Sequence, residues 1–251
     1  MLTHHRHQEI MAALHQAGRV EVAGIATVLS VSEETIRRDM KLLEEQGLLR
    51  RIYGGAVLPR LDQDRPLLER GKLNAREKAR VGHLAQKLVR DGMSIFIDSG
   101  TSTLALARVL AGRSINVTTN SINVALLLGD GPGRVNLTPG TLRPKDNALV
   151  GYETVDYARR FYFDIAFMGI STVDINHGWM DYEEHESVLR RALKSQARRG
   201  VILVDSSKFG RQANLHTFGL HEALTIVTDR PPPPAFMEVF KQHDIELIAT
   251  P

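Results

Sequence analysis

The chain contains no cysteine. Disulfide staples and thiolate-held metal sites are thereby excluded, and the composition suits a reducing compartment. No apolar run approaches the roughly 18 residues needed to cross a bilayer. The opening Met1-Leu2-Thr3-His4-His5-Arg6 lacks the apolar stretch of a secretory leader. The expectation is a cytoplasmic protein with no membrane partner. No nucleophile elbow, zinc-ligand spacing, paired-carboxylate signature or Walker lysine is found, so neither a metal nor a cofactor is called for.

What is present is ordinary globular material. The chain has 251 residues, 43% hydrophobic and 24% charged, with a formal net charge of +3. That length accommodates one small and one medium domain. A mild basic balance permits an anionic partner without requiring one.

Residues 1–58 read as helix, helix, helix, hairpin. Ile10, Ala13, Leu14 and Ala17 recur at helical spacing, and Gly18 closes the first helix. A second runs from about Val22 to Leu29. Ser30-Val31-Ser32 makes a turn, and Ser32 is a good N-cap with Glu33 and Glu34 in the first turn. The third helix runs to Gln46, with Gly47 as its stop. Leu48 to Ile52 and Ala56 to Leu58, joined at Tyr53-Gly54-Gly55, read as a hairpin.

On a wheel of about 100° per residue, Ile36, Met40 and Leu43 of the third helix share one face. Glu34, Arg38 and Lys41 lie opposite, flanked by Thr35 and Arg37. Taken alone, an Arg-Arg pair on such a helix reads as a solvated face. A tri-helical layout with a wing changes that reading. A short helix offering Thr and cations outward fits the major groove. Ser32, Glu34, Thr35, Arg37, Arg38 and Lys41, with Arg50, Arg51 and Tyr53 on the hairpin, are the candidate contacts to double-stranded DNA. Asp39 would repel phosphate, so it is expected to cap or to pair with an arginine.

Residues 59–74 are charged and turn-rich and read as a linker. Residues 75–251 alternate strands and helices, which argues a mostly parallel sheet. Ser94 to Ile97, Ile115 to Thr118, Asp164 to Met168 and Val201 to Val204 are its clearest strands. After Ile97 comes Asp98-Ser99-Gly100-Thr101-Ser102-Thr103, a small polar turn opening a helix. Backbone N–H groups and hydroxyls there could cradle a phosphate; a purely structural strand-to-helix turn would carry the same local sequence. Further polar strand ends follow at Thr119-Asn120-Ser121, at Gly169 and Ser171, and at Asp205 to Gly210 with Lys208. Ligands of open α/β sheets collect at such ends.

Residues 31–56 resemble the signature of the DeoR family of bacterial regulators. Val31-Ser32, Thr35-Ile36-Arg37-Arg38-Asp39, Leu43-Glu44, Gly47, Arg50 and Gly54-Gly55-Ala56 carry the likeness. From Lys78 to Asp229 the chain is similar to the effector domain of that family, through Asp91-Gly92, Asp98 to Thr103, Thr119 to Ser121, Asp164, Gly169, Glu184, Glu186, Asp205, Ser207-Lys208-Phe209 and Thr228-Asp229. Pro139-Gly140 departs from the paired glycines usual there.

The resemblance implies an operator-binding regulator, expected to be a repressor and a homodimer or homotetramer. Its α/β domain would be like ribose-phosphate isomerases and sugar-phosphate deaminases in fold. The implied effector is a phosphorylated sugar or polyol, and a narrower likeness around Gly169 to Asp174, His185-Glu186 and Ser207 to Arg211 points to glycerol 3-phosphate. Asp98 to Thr103, Thr119 to Ser121, Gly169, Ser171, Glu184, Glu186 and Lys208 are its candidate contacts. The rival is a sugar-phosphate isomerase or deaminase-like enzyme using Asp98, Asp164, Glu184, Glu186 and Lys208 as acid–base groups. Such an enzyme has no need of the first 58 residues.

Overall fold

A computed structural model describes residues 3–45, 47–58, 67–223 and 225–250. The expected end of the third helix at Gln46, and residues 59–66 of the expected linker, lie outside the described residues. Contacts divide the chain into two units, Met1–Leu61 and Asp62–Pro251.

The first unit is built as α1 (Thr3–Ala17), β1 (Arg19–Glu21), α2 (Val22–Leu29), α3 (Glu33–Glu45), β2 (Arg50–Ile52) and β3 (Gly55–Val57). Gly18, at φ +70°, ends α1 and returns its N–H to Leu14 O at 2.8 Å. α2 buries Val22, Ile25, Ala26 and Leu29, one stripe at helical spacing. The Ser32 hydroxyl accepts from Thr35 N at 3.2 Å and so caps α3. α3 buries Ile36, Met40 and Leu43, and Asp39 among them.

The hairpin carries an unanticipated third strand, in the order β1-β3-β2. Three residues between a glycine and a helix are too few for a recognisable strand pattern. Gly55 belongs to β3 rather than to the turn, where Gly54 takes φ +74°. A Cβ at Gly55 would lie 2.0 Å from Val20 O, so the close approach of β1 requires glycine.

The second unit runs α4 (Leu67–Lys72), α5 (Ala75–Ala85), β4 (Ser94–Ile97), α6 (Thr101–Leu110), β5 (Asn116–Thr119), α7 (Ile122–Leu128), β6 (Val135–Leu137), β7 (Thr141–Arg143), β8 (Ala148–Val150), α8 (Tyr152–Arg159), β9 (Phe163–Met168), β10 (Thr172–Asp174), β11 (Gly178–Asp181), α9 (Glu184–Ser195), β12 (Ala197–Leu203), β13 (Leu215–Phe218), β14 (Thr225–Thr228), α10 (Pro234–Gln242) and β15 (Glu246–Ala249). Thus a short helix stands inside the segment read as linker.

Seven strands form a wholly parallel sheet in the order β15-β14-β12-β9-β4-β5-β6. The central strands β14, β12, β9 and β4 are largely buried on both faces, while the edge strands β6 and β15 are partly exposed. Phe96 faces the core holding Phe163, Trp179, Leu193 and Phe240, while Ile95 and Ile97 face the core holding Val81, Leu106, Leu110 and Val117. This period-two division explains the continuous apolar strands. β12 starts at Ala197, ahead of the apolar run, because it pairs with Phe163 at the start of β9. Two small antiparallel sheets, β10-β11-β13 and β7-β8, complete the unit. Among the described residues, no helix is long and apolar enough to cross a membrane.

From β4 the chain builds outward to β5 and β6, then returns to place β9 against the other edge of β4. The carboxyl ends of β4 and β9 therefore flank a topological switch point, where open α/β sheets open a crevice.

Candidate nucleic-acid interface and ligand site

In the first unit, the face of α3 opposite its core presents exposed Glu34, Arg38 and Lys41, with Arg37 exposed beside them. Thr35 is half-buried, and its hydroxyl lies 2.9 Å from that of Ser32, which is exposed. Arg37 is engaged along its own helix, 2.5 Å from Glu33 and 4.0 Å from Glu34. Such exposed pairs contribute little. Among the described residues, Arg38, Lys41 and Arg50 have no ion-pair partner. Arg51 instead reaches Glu44: its backbone N and Nε donate to the Glu44 carboxylate at 2.8 and 2.7 Å. That bond joins the wing to the reading helix. Tyr53 at the wing tip is fully exposed.

Asp39 takes the pairing expected of it, and its partner comes from α1. Arg6 grips the carboxylate, with His7 Nε2 3.2 Å away. Burial alone would raise the Asp39 pKa, but the Arg6 and His7 hydrogen bonds outweigh it and hold the carboxyl below its ordinary value. The importance of Arg6 and His7 is not readable locally, since both look like solvated residues of an N-terminal helix.

In the second unit, the polar strand ends meet at the switch point. Gly100, at φ +148°, opens α6, and Thr101, Ser102 and Thr103 in its first turn are all buried. Ser99 N donates to Asp98 Oδ1 at 2.7 Å and to Asn120 Oδ1 at 2.9 Å. Asn120 also reaches Leu149 O at 3.3 Å, so it ties the ends of β4, β5 and β8. Thr119 Oγ1 donates to Ile97 O, and Ser121 Oγ caps α7 through Val124 N. Gly169 N donates to Asp98 Oδ2 at 3.3 Å across the β4–β9 gap. Lys208 Nζ donates to Ile170 O, which holds the loop after β9 to the turn after β12. Ser171 N donates to Asp181 Oδ1 at 3.0 Å.

Behind this rim lies a buried charge network that local sequence does not reveal. Arg190 Nε donates to Asp98 Oδ2 at 2.8 Å, and its Nη1 bonds Asp181 and, at 3.2 Å, Glu186. Arg143 bridges Glu186 and Asp146, both at 2.5 Å from its Nη2. Burial works against the charge of Arg190, yet Asp181, Asp98 and Glu186 raise its pKa well above the ordinary value. Glu186 is pushed up by burial but pulled further down, to about 2, by Arg190, Arg143 and Arg70. Burial pushes Asp98 up, since Arg190 is shared among three carboxylates and cannot offset its desolvation.

Glu186 is thus an internal ion-pair member rather than merely a helix-dipole acid. Glu184 is exposed and stands outside the network. Asp164 accepts from Ser94 N at 2.9 Å, a strand-end brace.

Among the buried polar atoms without a hydrogen-bond partner among the described residues are Ser102 Oγ, Arg143 Nη1 and Asp205 Oδ2, all near the rim. Among the described residues no cluster of His, Cys, Asp and Glu could hold a metal.

A winged helix with an outward cationic face, on one chain with an α/β unit whose strand ends converge, defines a DNA-binding transcription regulator with a sensor domain. The DeoR-like helix-turn-helix domain matches residues 6–61, and the DeoR C terminal sensor domain matches residues 73–230. The chain belongs to the DeoR family. It is 34% identical to the glycerol-3-phosphate regulon repressor of Escherichia coli K12, over 96% of this chain and 97% of that protein.

In fold it is similar to the tetrameric eIF2B-beta2-delta2 complex of Chaetomium thermophilum (TM-score 0.51, 8% identity, 95% of this chain and 72% of that one). A ribose 5-phosphate isomerase of Methanocaldococcus jannaschii is also similar (TM-score 0.40, 21% identity), over 54% of this chain and 55% of that one. The chain is a transcription regulator and not an enzyme: its family and curated relatives are regulators, and Asp98 and Glu186 are tied into ion pairs.

Proposed function

We propose that the chain is a repressor released from its operator by a phosphorylated sugar or polyol, glycerol 3-phosphate being the first candidate. The single observation that carries this is the start of α6. Glycine opens the helix, three hydroxyls line its first turn, and the buried Ser102 Oγ has no protein partner among the described residues. A ten-residue helix concentrates partial positive charge and free N–H groups at that end. A phosphate there would take up donors that are otherwise unsatisfied, and Arg143 would supply cationic charge nearby. Thr119, Asn120, Ser121, Gly169 and Ser171 shape the rim, with Lys208 bracing it. The name of the Escherichia coli relative supports the choice of ester.

On the DNA side, Arg38 and Thr35 read bases, Lys41 and Arg50 neutralise phosphates, and Tyr53 extends the wing's contact. Arg37 contacts the backbone after leaving Glu33, and Glu34 and Ser32 border the reading face. Arg51 acts through Glu44 by fixing the wing. The chain works as a homodimer or homotetramer, so that paired α3 helices meet repeated half-sites. Its partner DNA places it in the cytoplasm. Ligand release of operator needs a coupling of only ~1–3 kcal/mol, about 5–150-fold.

The test is a thermal-shift series with glycerol 3-phosphate, hexose phosphates and their unphosphorylated parents, since a ligand specific to the native state raises its melting temperature. An ester, and not its parent alcohol, should stabilise the chain and release a bound duplex in a gel-shift. Equal responses to ester and parent would reject a phosphate site.

A further inference from the structure

Gly169 follows β9 at the switch point, where its N–H donates to Asp98 Oδ2 across the crevice. It is buried and takes no left-handed φ. A Cβ at this position would meet Arg190 Nη2 at 3.5 Å, Ser99 O at 3.6 Å and Asp98 Oδ2 at 4.0 Å, all ordinary van der Waals separations. Gly55 is different, since a Cβ there collides with backbone. Neither strain nor crowding therefore calls for glycine at 169. What the missing side chain leaves is a gap wide enough for one small group, and the three nearest atoms around it are polar.

One of those atoms is an unused donor. Arg190 is 3% exposed, with Nε committed to Asp98 and Nη1 to Asp181 and Glu186, while Nη2 bonds nothing among the described residues. Three carboxylates fix the guanidinium plane and so fix where Nη2 stands. A buried N–H without an acceptor is costly, and an acceptor placed in the gap removes that cost. The other two atoms, Ser99 O and Asp98 Oδ2, are acceptors themselves. A hydroxyl suits both kinds of neighbour, accepting from Nη2 while its proton goes to Ser99 O. A carboxylate has no proton to give, and the charge of Arg190 is already divided among three acids.

We propose that the gap beside Gly169 is a hydroxyl subsite: a hydroxyl on the carbon skeleton of a bound phosphate ester accepts from Arg190 Nη2 and donates to Ser99 O. The inference rests on the phosphate-ester reading above and adds the group that separates a sugar or polyol ester from other phosphates. Ser99 stands three residues before Ser102, so the gap and the phosphate cradle are joined by a chain span of at most about 11 Å. One small ester can reach both. Arg190 is then a ligand contact, and Asp98, Asp181 and Glu186 are the residues that hold it in register. Gly169 is the opening that admits the hydroxyl.

The experiment is calorimetric titration of the full chain with two hydroxylated esters, glycerol 3-phosphate and a hexose 6-phosphate, and with two phosphates lacking a hydroxyl, propyl phosphate and phosphoglycolate. The better hydroxylated ester should bind about tenfold or more tightly than either of the others, because a site built to bond a hydroxyl rejects the analogue without it. Gly169→Ala should melt like the wild type, since its methyl meets only ordinary contacts. It should lose about tenfold or more in affinity for the hydroxylated ester and far less for propyl phosphate. Arg190→Lys, which keeps the internal charge but offers no second N–H group, should show the same selective loss.

Propyl phosphate binding as tightly as the better hydroxylated ester, or wild-type affinity for that ester in Gly169→Ala, overturns the inference and leaves the phosphate reading intact. An equal loss for ester and propyl phosphate in Gly169→Ala also overturns it, because the methyl then obstructs the phosphate itself. Failure of all four compounds to bind the wild type overturns both readings. If the variants do not fold, the ranking of the four compounds on the wild type decides.

Discussion

Arg6 of α1 and Asp39 of α3 meet in a paired contact, Nε to Oδ2 at 2.7 Å and Nη2 to Oδ1 at 3.0 Å. The reading helix is thereby oriented by a charge on the opposite side from the one it shows to DNA. Because the Asp39 pKa is lowered from 3.8, its folded state binds fewer protons than the unfolded chain there. Its stabilisation is fully present above about pH 4 and fades as pH falls through the depressed folded value. Amide exchange in α3, corrected for intrinsic rate, should show loss of protection on acidification in the wild type. Asp39→Asn should show weaker protection at neutral pH and a flatter pH response. Identical profiles for the two would rule out the ion pair as a stabiliser.

Arg38 is exposed and, among the described residues, unpaired, so removing it should leave stability alone. Arg38→Ala is expected to weaken operator binding by about 1–3 kcal/mol, roughly 5–150-fold, if it reads a base. Lys41→Ala should weaken all duplexes similarly and reduce the slope of log K against log salt by about 1. Gel-shifts across a salt series separate the two roles. Wild-type affinity in Arg38→Ala would discard its reading role.

Arg190 compensates Asp98, Asp181 and Glu186 at once. Arg190→Met leaves these buried carboxylates short of a partner, at a cost of about 3–5 kcal/mol. Trp179, the chain's single tryptophan, is wholly buried in the same unit, so its fluorescence in a urea titration reports on the sensor domain alone. A change within about 0.5 kcal/mol, typical of a surface position, would contradict the network's structural role.

Ser102 distinguishes a ligand group from a structural one. Its buried hydroxyl bonds nothing among the described residues, so Ser102→Ala should be neutral or mildly stabilising. If the hydroxyl holds a phosphate oxygen, ester affinity should fall about tenfold, from the loss of a hydrogen bond to a charged group of about 1.5 kcal/mol. Calorimetric titration beside thermal melting gives both numbers. A destabilised variant with unchanged ester affinity would reverse the assignment.

The Ser32 cap, the Ile36, Met40 and Leu43 stripe and the turn after Ile97 depend on neighbours within a few residues, so local pattern carried them. The Arg190–Asp98 bond joins residues far apart in the chain, and neither looks unusual where it stands. Arg143, Asp146 and Asp181 were hidden in the same way. β1, β10 and β11 are not legible locally, because three- and four-residue strands present no periodicity. α4 reads as linker because its six residues carry a glycine and three charged side chains, and tertiary caps stabilise it.

The parallel sheet imposes an order on biosynthesis. Every element of the first unit is translated before β4, whereas β4 must wait through β5 and β6 for β9, its second neighbour. Domains generally fold as they emerge, N-terminal first. Nascent chains are therefore expected to carry a finished DNA-reading head while the crevice between β4 and β9 has only one wall, and ribosome-bound chains stalled before Phe163 should be blind to any inducer.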